Sequence, residues 1–493
     1  MLEQQPLIDT LRMLNHRRTA SALAMWKGER LAVEPYQLYD AFEDFLTLET
    51  LKRIDLDYSD PARKRVRHAF MDHYLQKILL PHETEMQTWM RGAAAVINDE
   101  RIHFRNIIQW CQQSSSHADR ERLQDETGPL CKFMKPFALN YWEILLDQLK
   151  QEFGFSNYID YCREKKGLDY GWYAAQMEQV LETTREIYFK AMQAWAEGSF
   201  GLPLERLNRF DSITLFGMRA LDDLLPQGAV EQSMSFFEQW GIDLTKLDSL
   251  HLDIETDARK SDQAMCFLLA VPGDVHVVMN ASGGWIDLVT LWHELGHGLS
   301  AVFTSPRLPT VDRELATSYS LSESYAFLLQ NITLSEPFLR EHLELSGDQV
   351  RKLHYYKTLR DLAAFRRYAA KFIAEYRMFG SNSLADGTPY AEIMARHTGF
   401  FHQPESHLFD LVPEFYCLDY VLGWMGEAVM EACLKNRFGP QWMFQPTAGA
   451  LLKQWWRQGN KLDIIEFFVE NDLPPLTTDL LVKRWQNTLS DLN

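Results

Sequence analysis

The sequence predicts a mainly α-helical protein carrying one small β element. Three observations predict it. Glycine and proline are sparse, 25 and 19 of 493 residues. Apolar residues recur at spacings of three and four over long stretches, which is the period of one helix face. Only residues 265–270 and 275–279 break the pattern. They are two short apolar runs around Pro272-Gly273-Asp274, the signature of a β-hairpin.

The elements follow in chain order. The opening Met1-Leu2-Glu3-Gln4-Gln5-Pro6 has no basic stretch leading into an apolar run, so no secretory leader is expected. The basic run Arg63-Lys64-Arg65-Val66-Arg67-His68 reads as a solvated helix face. Tyr141, Ile144, Leu145 and Leu149 mark one helix. Tyr173, Met177, Val180, Leu181, Ile187, Tyr188 and Met192 mark a second, and Leu422, Met425, Val429, Cys433 and Leu434 a third. Breaks are expected at 112–119, a polar surface loop, and at 198–203, 305–309 and 381–387. The break at 198–203 follows a long helical stretch and is the expected boundary between an N-terminal helical region, 1–200, and a catalytic helical region, 201–493. No internal repeat is visible.

Composition narrows the function. Apolar residues make up 46% and charged residues 24%, ordinary values for a globular chain with a real core. The net charge of −18 repels phosphate backbones, so no nucleic-acid partner is expected. The longest apolar run, 264–271, falls far short of the roughly 20 residues of a membrane span. The cysteines, Cys111, Cys131, Cys162, Cys266, Cys417 and Cys433, are scattered without a CxxC pair. Buried free thiols in a reducing cytoplasm are the expectation.

The chemistry lies in Thr290-Leu291-Trp292-His293-Glu294-Leu295-Gly296-His297-Gly298. This is HExxH. On a helix the two histidines share a face and can hold one ion, while the glutamate lies beside it as a base on a water molecule. Chance would produce about 0.03 such motifs in a chain of this length. Leu288, Leu291, Trp292, Leu295, Leu299, Val302 and Phe303 supply an apolar face. Histidine and glutamate in such a helix are costly without partners, and a metal supplies one. Gly296 and Gly298 weaken the helix by about 1 kcal/mol each, so a close neighbour or substrate is expected against them.

A catalytic zinc takes three protein ligands and keeps one position open. The residue six after His297 is Phe303, so a third histidine at that spacing is absent. The candidate carboxylates are Asp312, Glu314 and Glu323. Glu323 stands in the aromatic-rich helical stretch 318–329 and is the expected ligand. Asp312 and Glu314 are expected at the surface.

These pieces resemble the thimet oligopeptidase and oligoendopeptidase F family of zinc peptidases. The HExxH segment is similar to the family's TLxHExGH. Glu323 lies 26 residues after His297, close to the family's spacing for its glutamate ligand. Phe415-Tyr416-Cys417-Leu418-Asp419-Tyr420-Val421-Leu422-Gly423 is similar to its FYxxxYxxG. The likeness covers roughly residues 260–430, and the first 200 residues carry no matching motif.

The resemblance implies a two-lobed helical metallopeptidase fold with a deep central channel. It implies one Zn²⁺ per chain on His293, His297 and Glu323, with Glu294 as general base. It implies that Tyr416 and Tyr420 face the metal and stabilise the oxyanion, and that short oligopeptides are the substrates. Without it, Tyr416 and Tyr420 read as core tyrosines four residues apart on a helix. The family's histidine shortly before the first tyrosine has no counterpart at that spacing; His407, nine residues before Tyr416, is the nearest.

Two other readings stand beside it. A zinc metallocarboxypeptidase of related fold needs a cation for the substrate's terminal carboxylate, and Arg259, Lys260 and Arg313 are the candidates near the motif. A non-catalytic helical binding protein with a structural zinc has no use for Glu294.

Overall fold

The computed structural model describes residues 5–54 and 60–490, apart from the side chain of Tyr36. The opening residues read for a leader fall outside this range up to Gln4. The architecture is mainly α-helical with a few short strands, as expected. The chain divides into two compact units. Residues 1–78, 223–350 and 422–477 form one, and residues 79–222, 351–421 and 478–493 the other. Three of the five crossings between them fall inside the helices Pro61–Gly92, Gly347–Ser381 and Tyr416–Phe438. Among the described residues no helix is long and apolar enough to cross a membrane.

The first unit contains a three-stranded sheet. Strands β1 (Ala94–Ile97) and β2 (Glu100–His103) belong to the second unit; β3 (Leu250–Asp253), β4 (Met265–Ala270) and β5 (Asp274–Val278) form the sheet, in the order β3-β5-β4. The predicted hairpin is β4 and β5, antiparallel with Cys266 opposite Val277. Strand β3 was not expected; it joins β5 in parallel, with His251 opposite His276.

The motif helix, Trp285–Val302, lies over this sheet. Ser282 and Gly283 backbone N–H groups donate to Asp287 in its first turn, where a carboxylate also complements the helix dipole. Trp292 is fully buried among Phe236, Phe237 and Phe338, with ring centroids 4.7–5.2 Å away, and its indole N–H donates to Ser233. Burial of such a side chain is worth several kcal/mol, so the helix's back is firmly anchored.

Among its described residues the second unit is mainly helical and carries the β1–β2 hairpin, whose turn residues Asn98 and Asp99 both adopt positive φ, 51° and 68°. The stretch read as one helix over 173–192 is two, Tyr170–Thr183 and Arg185–Phe200. Buried Arg366 donates to the Leu181 carbonyl and the Thr184 hydroxyl at the break, satisfying groups the interruption exposes. The expected loop at 112–119 shrinks to Ser114–Ser116 between two helices, with the Ser116 hydroxyl capping the second.

The basic run is not a solvated face. His68 and Val66 are buried, and Arg65 is half-buried in an ion pair with Asp312. All six cysteines are free, four of them buried and Cys266 and Cys433 half-buried.

Candidate metal centre

Two helices build the centre. Glycine at 296 lets the motif helix approach Ser320–Ile332 so closely that a Cβ there would lie 2.4 Å from the Ala326 Cα. On its other side, a Cβ at Gly298 would lie 3.2 Å from Leu250 and 3.3 Å from Val277 of the sheet. Both glycines thus meet the close neighbours expected of them. A third helix, Tyr416–Phe438, closes in behind: a Cβ at Gly423 would lie 2.6 Å from the Glu323 Cβ.

This packing brings His293, His297 and Glu323 together, with one donor atom from each within 4.8 Å of the others. Glu323 Oε2 lies 3.4 Å from His293 Nε2 and 3.7 Å from His297 Nε2, and its side chain is 1% exposed. The opposite ring nitrogens are engaged elsewhere. His293 Nδ1 meets the Gln330 amide oxygen at 3.0 Å, and His297 Nδ1 meets the Ser322 hydroxyl at 2.7 Å. An amide oxygen only accepts, so His293 donates from Nδ1, while its Nε2 faces Glu323. The His293 ring rests edge-on against Phe327, which stacks on Trp424 at 4.1 Å. Two imidazole nitrogens and a carboxylate oxygen, oriented by hydrogen bonds from behind, are a donor set that suits zinc.

Glu294 is buried outside this set. The Cys266 backbone N–H of edge strand β4 bonds its carboxylate. Burial pushes the carboxyl up to about 7, with His293 opposing and Glu323 adding. Burial likewise pushes His297 down to about 4. For His293 burial acts in the same direction, but the hydrogen bond and charge of Glu323 outweigh it and raise the value.

The other carboxylates are accounted for differently from the surface positions expected. Asp312 pairs with Arg65, and Glu314 lies 3.6 Å from Arg12 with its side chain 8% exposed. Arg259 forks onto Asp257, Lys260 pairs with Asp253, and Arg313 donates to the Val271 carbonyl at 2.9 Å.

Tyr416 and Tyr420 belong to the second unit. They are half-buried, not core, with ring centroids 5.1 Å apart, and Tyr420 stacks on Tyr368 at 4.7 Å. The residues leading into them, Glu414 and Phe415, both have positive φ, 63° and 51°. A non-glycine pair in that region is strained and must be held. Lys165 at 2.6 Å and Tyr161 at 2.9 Å hold the Glu414 carboxylate, and the Tyr158 hydroxyl accepts its N–H. Buried Lys166 pairs with Asp419 between the two tyrosines. His407 is fully buried, with its ring nitrogens 2.7 Å and 2.8 Å from the Pro404 and Leu384 carbonyls, which gives it a structural place.

Sequence reasoning missed Gln330, Ser322, Lys166 and Tyr368. Gln330 carried a signal: with Glu323 and Phe327 it falls at i, i+4 and i+7 of one helix face.

Comparison of the sequence with known protein families and with curated proteins gives no match. Comparison with solved structures does. One match is the crystal structure of a "putative oligoendopeptidase F" from Bacillus anthracis str. Ames, with a TM-score of 0.66. The likeness covers 93% of this chain and 84% of that one at 12% identity. The fold is like that of oligoendopeptidase F. At such an identity the likeness speaks for the mainly α fold and leaves the chemistry to the residues.

Proposed function

We propose that the chain is a zinc-dependent endopeptidase acting on short oligopeptides. The observation that carries this reading is the convergence of His293, His297 and Glu323 beside a buried glutamate that is not part of the donor set. His293, His297 and Glu323 would hold the ion, one per chain. When bound, zinc supplies Lewis acidity to the scissile carbonyl and to a water molecule. Glu294 takes the proton of the attacking water and returns it to the leaving amine. Tyr420 and Tyr416 are assigned to the developing oxyanion on the FYxxxYxxG resemblance, which also carries the preference for short peptides. Six free thiols accord with a cytoplasmic protein.

The terminal-carboxylate reading gains nothing from Arg259, Lys260 or Arg313, each of which has a partner of its own. A structural zinc gives no reason to bury Glu294 next to the donor set.

Glu294→Gln keeps size and hydrogen bonding and cannot take the proton. The variant is expected to keep the ion on His293, His297 and Glu323 while peptide turnover falls by about 10²–10⁴. Wild-type turnover by Glu294→Gln, or no cleavage by the unaltered protein of any peptide in a broad library, would overturn the proposal.

A further inference from the structure

We propose that His251, Asp274 and His276 form a second cation site, for a divalent ion of the zinc or copper class, on the sheet face turned away from the motif helix. Strands β3 and β5 run parallel with His251 directly opposite His276. Side chains of paired residues leave a sheet on the same face, and Asp274, two residues before His276, leaves it there too. Their neighbours Leu250 and Val277 point the other way, onto Gly298 of the motif helix. The sheet therefore separates this cluster from His293, His297 and Glu323, and one ion cannot serve both.

The geometry is close to what an ion requires. Asp274 Oδ1 lies 2.9 Å from His276 Nε2 and 3.4 Å from His251 Nε2, and the three donors lie within 4.8 Å of one another. Zinc with bonds of about 2.0–2.1 Å to tetrahedral ligands sets them roughly 3.3 Å apart. The imidazoles stack with 4.4 Å between centroids and 29° between planes, and the Nε2 of each faces Asp274 Oδ1. Two imidazoles and one carboxylate select zinc, copper or nickel over calcium or magnesium, which take oxygen. Lys27 is the cation nearby; Glu29 at 2.8 Å and Asp253 at 3.6 Å hold it. His251 is about half exposed, leaving the remaining coordination positions open to water.

The alternative is a hydrogen-bonded cross-strand cluster with no ion. Metal counting separates the two. Protein stripped by a chelator and dialysed against Zn²⁺ is expected to hold two ions per chain. His251→Ala and Asp274→Asn are each expected to hold one and to keep peptidase activity, and His293→Ala also one. His251 is half exposed, so its loss should leave the zinc-free melting temperature unchanged; His276→Gln, which keeps bulk at the more buried position, provides a check. Retention of two ions by His251→Ala would overturn the site, and so would a wild-type chain whose whole zinc content disappears in His293→Ala. A single wild-type ion that survives His293→Ala and is lost in His251→Ala would support this site while removing the basis of the proposed function.

Discussion

At residue scale, Gly296 shows how the centre is set. Alanine is the better helix former by about 1 kcal/mol, yet its methyl here would strike backbone 2.4 Å away. Gly296→Ala is therefore expected to force the two ligand-bearing helices apart, carrying His293 and His297 away from Glu323. Metal affinity should fall by about 10–100-fold, the size typical of changes around a ligand shell. Gly298→Ala meets only side-chain ends at 3.2–3.3 Å and should do less. Equal zinc affinities for wild type and Gly296→Ala would refute this. The choice among carboxylates is tested by counting zinc. Glu323→Ala should lose the ion of the motif helix, whereas Glu314→Ala, which gives up its contact with Arg12 away from the donor set, should keep it.

At the scale of elements, what the sequence made legible was what local period encodes. HExxH, its helix, the β4–β5 hairpin and the glutamate helix all announce themselves through spacing. What was hidden depends on distant partners. Strand β3 is four residues long and becomes a strand only by pairing with β5. The run around Arg65 looks solvated until Asp312, 247 residues on, is packed against it. The first hairpin had a local sign, Asn98-Asp99, whose residues tolerate positive φ. A further hidden feature is Asp410. Burial alone would raise its carboxyl, but Arg367 at 2.7 Å, Lys371, Arg209 and the Tyr390 hydroxyl hold it well below the usual range. A depressed folded value contributes stability above the unfolded value and loses it as pH falls. Stability should thus decline from about pH 5 downward, and Asp410→Asn should flatten that decline in urea unfolding curves. Glu375, pushed up to about 7 by burial, acts oppositely, reducing stability as pH rises from about 4.5 to about 7. An acid limb as steep in Asp410→Asn as in wild type would show that other groups carry it.

For the molecule as a whole, the net charge of −18 acts on whatever approaches the centre. Such a field discourages polyanions and raises the local concentration of cationic ligands. The peptides of the proposed function come in both signs, so the field should separate them by encounter, whatever the subsites contact. Two peptides sharing one scissile sequence, one flanked by lysines and the other by glutamates, provide the measure. At low ionic strength kcat/KM should favour the lysine peptide, mainly through KM. Long-range attraction is screened as the Debye length falls from ~30 Å at 0.01 M to ~3 Å at 1 M salt. The ratio of the two kcat/KM values should therefore fall toward unity over that range, and a contact with a particular acidic side chain would leave a residue of preference at high salt. A ratio that does not change with salt would mean that the long-range field has no part in substrate choice.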